Sequence, residues 1–214
     1  MAQLRLAMAV IAILIIVAAL GVGIGWGIGT TVSPSGPTKS GQQSNGAFRL
    51  TLIEPMNTGW NATTAQPKIF VVGQGGLSSS ANISLPVRTL IQLTIVSYDT
   101  PTGGSTDQQG KVNGTQGENV YLINGTTASM SSMPEQWGKN VTSVPGASLA
   151  HTFSIPQIGV NIPVVGGDTE IAYLYFTKTG TFTWFCLTPC GFGPDGSGGA
   201  MSAPGWMTGV VTVS

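Results

Sequence analysis

The residues best suited to chemistry lie in the last third of the chain. His151 is the only histidine, Cys186 and Cys190 are the only cysteines, and Met207 follows them close to the end. Thiolate, imidazole and a weak thioether form a soft donor set that selects copper, and strand loops can hold such a set nearly fixed through a redox cycle. The pattern therefore predicts a copper-type centre. A Cys186–Cys190 disulfide or two free thiols remain open, because a C-x-x-x-C bridge is geometrically feasible.

The overall composition excludes several other functions. Eight Lys and Arg balance eight Asp and Glu, so the chain lacks the basic excess that nucleic-acid binding requires. One histidine and two cysteines are too few for a multi-disulfide scaffold, a four-thiolate iron–sulfur cluster or a histidine-rich zinc site. With no paired carboxylates and no nucleophile motif, independent hydrolytic activity is not expected. The chain is interpreted as a non-catalytic component rather than an enzyme by itself.

Short β-branched runs bounded by Gly, Pro and Asn must position these donors. They lie at 48–53, 68–72, 90–96, 171–176, 181–185 and 208–213. Many short strands with Gly-rich turns predict an all-β sandwich over 47–214. Residues 100–147 interrupt this rhythm and are interpreted as a decorated insertion, part of which forms hairpins.

An apolar segment precedes this domain. No charged residue occurs between Arg5 and Lys39, and residues 6–28 are long enough to cross a bilayer as a helix. We expect an uncleaved single-pass anchor at 1–29, with the N-terminus cytoplasmic and the C-terminal domain extracellular. A polar Ser/Thr/Pro/Gly tether follows at 30–46.

Glycosylation motifs agree with an extracellular face. Five of the nine asparagines lie in N-x-S/T motifs after the anchor, in a region with little charge. The candidate sites are Asn61, Asn82, Asn113, Asn124 and Asn140.

The segment beginning His151-Thr-Phe-Ser-Ile-Pro, together with the later Cys-x-x-x-Cys-Gly, resembles the cupredoxin domain of haem–copper oxidase subunit II, in its archaeal-like form with a single anchor helix. The resemblance covers about 85–99 and 148–214 and implies an all-β, Greek-key cupredoxin sandwich. It implies that His151, Cys186, Cys190 and Met207 are ligands of a purple-copper centre. The backbone carbonyl of Thr188 would face a copper ion.

The chain departs from this family at one ligand. Pro204 stands where the family has a second histidine, and the loop before Met207 is lengthened. Met201 or Asp195 could replace the missing imidazole, with a changed ligand field. Two interpretations remain open: an altered copper centre that transfers electrons, or a copper-free fold with a structural role in a quinol oxidase.

The resemblance also implies partners, namely the membrane bilayer, the catalytic subunit I of the oxidase, and a quinol or small redox protein as electron donor. An alternative of another class is a glycosylated archaeal-type pilin or surface-fibre subunit. A filament subunit would need neither His151 nor the cysteine pair. Its N-terminal helix usually continues further than residue 29, where Gly and Pro end the apolar segment here.

Overall fold

The computed structural model describes residues 42–44, 46–56, 58–61, 64–123, 138–193 and 195–214, with the backbone alone at 42–44, 58–61 and 64–65. The predicted anchor at 1–29 and most of the tether at 30–46 lie outside these residues. Among those described, no helix has the length and apolar character needed to cross a membrane.

The described residues form strands joined by turns and three short 3₁₀ segments, so the all-β prediction is confirmed for them. The strands are β1 (Gln42–Ser44), β2 (Ala47–Glu54), β3 (Thr58–Asn61), β4 (Thr64–Gln66), β5 (Phe70–Gly73), β6 (Gly76–Ser79), β7 (Asn82–Leu85), β8 (Leu90–Ser97), β9 (Val120–Ile123), β10 (Lys139–Val141), β11 (Leu149–Ile155), β12 (Val160–Val165), β13 (Thr169–Tyr175), β14 (Gly180–Phe185) and β15 (Thr208–Val213).

Two main sheets enclose one hydrophobic core. The larger sheet has the order β10-β9-β13-β8-β2-β5-β6, with β1 paired to β2, and the smaller has the order β12-β11-β14-β15-β7. Alternate residues of β2 and β8 point inward, as the period of two in an extended strand requires. They meet side chains of the smaller sheet, among them Phe153 and Trp184, whose rings stack 5.2 Å apart.

Strand pairing brings the ends that carry polar residues to one region. Strands β2 and β8 are parallel, and Glu54 is the register partner of Ser97 at their shared end. In the smaller sheet, Ser154 of β11 pairs with Phe185 at the end of β14. Cys186 therefore follows β14 beside the strand that carries His151.

The described part of the insertion packs, near residues 109–113, against the outer side of β11 and β12. Every residue of these two strands is buried, although only one of their faces meets the core between the sheets. Asn161 of β12 donates from Nδ2 to the carbonyls of Gln109 and Lys111, at 2.9 and 2.6 Å. Later in the same region, β9 and β10 form an antiparallel pair at the edge of the larger sheet. The insertion thus covers the back of the strand that bears His151.

Candidate metal centre

His151 and the two cysteines converge. Nδ1 of His151 lies 3.7 Å from Sγ of Cys186, and the two cysteine sulfurs are 3.5 Å apart. One donor atom from each of the three residues lies within 4.8 Å of the others. His151 and Cys186 are buried, whereas Cys190 is partly exposed. Both cysteines are free thiols, and no disulfide joins them in the structure.

Backbone and hydroxyl groups fix the sulfur of Cys186. The Thr152 N–H donates to Sγ at 3.4 Å, and the Thr188 hydroxyl lies 3.0 Å from the same sulfur. The carbonyl oxygen of Ala150 lies 3.0 Å from that hydroxyl as well, so the hydroxyl can donate either to this carbonyl or to the Cys186 sulfur. The carbonyl oxygen of Thr188, which the resemblance places toward a metal, lies 3.7 Å from the Cys186 sulfur.

Two methionines accompany the cluster in different ways. Met207 is fully buried in the core, and its carbonyl accepts a hydrogen bond from the Cys186 N–H at 2.9 Å. The sulfur of Met201 lies 3.0 Å from Sγ of Cys190. Of the two candidates for replacing the missing imidazole, Met201 is therefore at the cluster. Asp195 is exposed and accepts hydrogen bonds from the N–H and hydroxyl of Ser197, at 3.2 and 2.9 Å.

Two carboxylates lie on the opposite side of the imidazole ring. Oε1 of Glu54 lies 3.0 Å from Nε2 of His151, and Oδ2 of Asp99 lies 3.3 Å from the same nitrogen. The second oxygen of Glu54 accepts a hydrogen bond from the Ser97 hydroxyl at 2.7 Å. Glu54 ends β2, and Asp99 lies two residues after the end of β8. The larger sheet therefore orients His151, a candidate ligand from the smaller sheet.

The residue pattern of the sequence assigns no role to either carboxylate. The signal for Glu54 is the alternation of β2, because Glu54 follows Phe48, Leu50 and Leu52 at every second position and so points inward. Asp99 lies at the end of the first segment that carries the family resemblance. An acidic residue at the next position of such a row of buried side chains requires a polar or charged partner, because burying an unpaired charge is costly.

Protonation follows from burial and these contacts. Burial opposes charging of His151, but the Glu54 carboxylate and the Asp99 hydrogen bond outweigh it and raise the pKa of the imidazole well above its usual range. Burial likewise raises the pKa of Glu54. At Asp99 burial is outweighed by hydrogen bonds from His151 and Thr100, so its pKa is lowered. His151 and Glu54 therefore both bind a proton more readily than usual, and Asp99 binds one less readily.

The two thiols differ in acidity. Burial would raise the pKa of Cys186, but the Cys190 thiol and the His151 ring donate to its sulfur and lower the pKa well below the usual value. The same contact with Cys186, together with burial, raises the pKa of Cys190. Cys186 is therefore the more acidic of the two thiols and forms more readily the thiolate that binds metals.

This donor set fits a soft metal ion. Thiolate and thioether ligands select Cu(I) and related ions, and imidazole binds copper readily. The His151 ring presents Nδ1 to the sulfurs while Nε2 faces carboxylates, which is the arrangement that fixes the tautomer of metal-binding histidines. The predicted ligands His151, Cys186 and Cys190 are thus brought together, with Thr188 and Met207 in contact with Cys186.

The glycosylation candidates are distributed over several elements. Asn82, Asn113 and Asn140 have exposed side chains in the described residues. Asn61 lies in β3, with its side chain outside the described part, and Asn124 lies outside it altogether. These sites remain predictions.

Comparisons with known proteins give distant likenesses. No family model and no curated protein matches the sequence. Among solved structures, a heme-copper terminal oxidase dimer is 16% identical, with 100% of this chain and 97% of that chain covered and a TM-score of 0.37. The periplasmic domain of cytochrome oxidase subunit II of Bradyrhizobium japonicum is 12% identical, with 81% of this chain and 86% of that chain covered and a TM-score of 0.33. A copper binding protein in the apo form is 13% identical, with 81% of this chain and 94% of that chain covered and a TM-score of 0.32. All three TM-scores lie below 0.5, too low for a fold to be inferred from them.

Proposed function

We propose that this chain is a membrane-anchored, extracytoplasmic component of a terminal oxidase, similar to subunit II, that transfers electrons through an altered copper centre in a cupredoxin-like domain. The convergence of the His151 imidazole with the Cys186 and Cys190 sulfurs carries the proposal, because His151 comes from β11 and the two cysteines come from the loop after β14. Bound copper would supply a one-electron redox couple.

The residues around the cluster suit electron transfer because they restrain the donors. Cys186 is tied to β11 through the Thr152 N–H, and His151 is held by carboxylates of the other sheet. The anchoring elements are strands of a packed sandwich. Ligands fixed in this way change position little between two oxidation states.

The exposed edge of the cluster suits a docked complex. Cys190 is partly exposed, and the apolar side chains of Leu187 and Phe192 beside it are each 37% exposed. Apolar surface next to a redox centre favours close contact with a partner protein. The balanced charge of the chain gives no support to electrostatic steering of a charged donor.

The remaining parts of the proposal rest on the sequence. The apolar segment at 1–29 would anchor the chain with the domain outside the membrane. There it would dock on the catalytic haem–copper subunit and receive electrons from a quinol or a small redox protein. Nothing in the described fold favours the filament-subunit alternative.

Purification of the full chain from native membranes tests the proposal. We expect a haem-bearing partner to copurify, with copper bound to this chain and strong thiolate-to-copper absorption in the visible. The partner without copper would indicate the copper-free, structural role in a quinol oxidase. A homopolymer without haem would overturn the proposal in favour of the filament subunit.

A further inference from the structure

We propose that Met201 is a metal ligand of this centre and takes the role of the absent second imidazole. The inference rests on the proposed function, because it assumes that the cluster holds a soft metal ion. Its own basis is the lengthened loop between Cys190 and Met207, which carries Met201 to the cluster.

The first observation is the position of the thioether. Sδ of Met201 lies 3.0 Å from Sγ of Cys190, which in turn lies 3.5 Å from Sγ of Cys186. A thioether is a soft ligand of the kind that copper accepts beside thiolates. Three sulfurs thus follow one another at the edge of the cluster opposite the carboxylates.

The second observation is that the loop packs closely around the Met201 side chain. Residues 192 and 198 form an antiparallel bridge, with N–H to carbonyl distances of 3.1 and 2.9 Å. A Cβ atom on Gly191 would lie 1.9 Å from the carbonyl oxygen of Gly198 and 2.9 Å from Cγ of Met201. The carbonyl oxygen of Gly196 would also lie 2.8 Å away, so glycine at position 191 lets the loop backbone and the Met201 side chain approach each other closely.

The third observation is the attachment of the segment that carries Met201. It lies in the 3₁₀ segment Gly199–Ser202, where the preceding residue, Ala200, is fully buried. The Ala200 N–H donates to Oε1 of Gln66 at 3.3 Å, and its carbonyl accepts from the Met207 N–H at 3.1 Å. The segment that carries Met201 is therefore attached to the core through Ala200 and Gln66, and to Met207 just before β15.

The other residues that the structure describes in this loop offer no comparable donor. Asp195 is exposed and occupied with Ser197, and Pro204, at the position of the family histidine, is exposed and has no donor side chain. The residues that lengthen the loop therefore supply the sulfur in place of the lost imidazole.

The test compares copper binding by the full-length chain in detergent with that of Met201→Leu and Met201→His. Met56→Leu is the matched control, since Met56 is 67% exposed and outside the cluster. We expect Met201→Leu to weaken Cu(I) binding about tenfold or more, because even outer-shell changes have effects of this size. X-ray absorption should lose one sulfur from the copper shell, and the thiolate-to-copper band should shift. Met201→His should add one nitrogen to that shell.

The outcomes separate this inference from the proposed function. If the wild-type chain with reduced thiols takes up no copper, the proposed centre is wrong. If the wild type binds copper and Met201→Leu retains its affinity, sulfur count and band, Met201 is not a ligand and the proposed centre stands. Should Met201→Leu fail to fold, Met201→His decides: a nitrogen that does not appear in the copper shell overturns the inference.

Discussion

Oε1 of Glu54 lies 3.0 Å from Nε2 of His151, and both side chains are completely buried. Asp99 approaches the same nitrogen at 3.3 Å. Because both carboxylates meet Nε2, a hydrogen is held on that nitrogen whether the ring is neutral or protonated. Nδ1 is then the nitrogen that faces the Cys186 sulfur. Glu54 at the end of β2 and Asp99 just after β8 thus fix the tautomer of the neutral imidazole, which belongs to a site on the smaller sheet.

We predict that Glu54→Gln lowers the pKa of His151 in the metal-free chain. The Glu54 carboxylate is the main group that raises this pKa against burial. Because the folded-state pKa is raised, the stability from this pair is fully present below the unfolded value of about 6.5. It is lost as the pH rises through the folded pKa. NMR titration of the imidazole measures the change directly.

The matched control for this titration is Glu118→Gln. Glu118 is exposed and accepts a hydrogen bond from the Gly114 N–H at 3.1 Å. It should leave the His151 titration unchanged. An unchanged His151 pKa in Glu54→Gln would contradict the electrostatic role of Glu54.

We predict that the metal-free chain contains one thiolate at neutral pH and that it belongs to Cys186. Hydrogen bonds from Cys190 and His151 lower the pKa of Cys186, whereas Cys190 is held as a thiol. Ultraviolet thiolate absorbance should vanish in Cys186→Ser. It should persist in Cys190→Ser, where a hydroxyl can still donate to Cys186. Equal loss in both variants would contradict the assignment.

We predict that Asn161→Ala releases the insertion from the sandwich and lowers the free energy of unfolding by about 2–4 kcal/mol, because several buried polar groups lose their partners. The Asn161 side chain donates to two carbonyls of the insertion and accepts from the Ser154 hydroxyl at 2.6 Å. Amide exchange over 109–112 should increase. Denaturant unfolding gives the energy, with Asn113→Ala as the control because the Asn113 side chain is exposed.

The same substitution, Asn161→Ala, should also affect the residues next to the metal site. Oγ of Ser154 also lies 2.8 Å from Oγ1 of Thr152, and that second oxygen accepts from the Leu187 N–H at 2.8 Å. A buried polar chain therefore links the insertion with the residue after Cys186. We expect faster amide exchange at Leu187 in Asn161→Ala. Protection at Leu187 that remained unchanged while 109–112 opened would show that this chain does not transmit the change.

The sequence predicts the strands that show clear alternation and β-branched residues. The run at 90–96 corresponds to β8, and the run at 208–213 to β15. Strands β11 and β12 are not among the predicted runs, because both of their faces are buried and Pro163 lies within β12. Burial on two faces removes the alternation that identifies a strand.

The site was predictable from residue chemistry but not from spacing alone. His151 and the cysteines are rare residues of the soft-donor type, so they stand out. Glu54 is separated from His151 by almost a hundred positions, and only the parallel pairing of β2 with β8 places it beside Ser97 and the ring. Likewise, Met201 lies eleven residues after Cys190, and only the folding of the loop between them brings the two sulfurs within 3.0 Å.

A second pair of buried acids, Asp168 and Glu170, lies at the start of β13. Oδ1 of Asp168 accepts from the Thr169 N–H at 2.6 Å, while its Oδ2 and the Oε2 of Glu170 have no hydrogen-bond partner within the described part of the chain. Burial raises the pKa of Asp168 to about 6. Burial also raises the pKa of Glu170 well above its usual value. Both acids are thus more easily protonated in the folded chain than in the unfolded one.

We predict that Asp168 makes the fold more stable as the pH falls from 7 to 4. Its folded-state pKa is above the unfolded value, so its contribution is fully present below about 3.9 and is lost as the pH rises through about 6. The difference in unfolding free energy between wild type and Asp168→Asn should increase by about 1–3 kcal/mol over this range. Asp195→Asn is the control, because the Ser197 hydrogen bonds lower the pKa of this exposed acid. A difference that stayed constant with pH would show that Asp168 remains ionised in the folded protein.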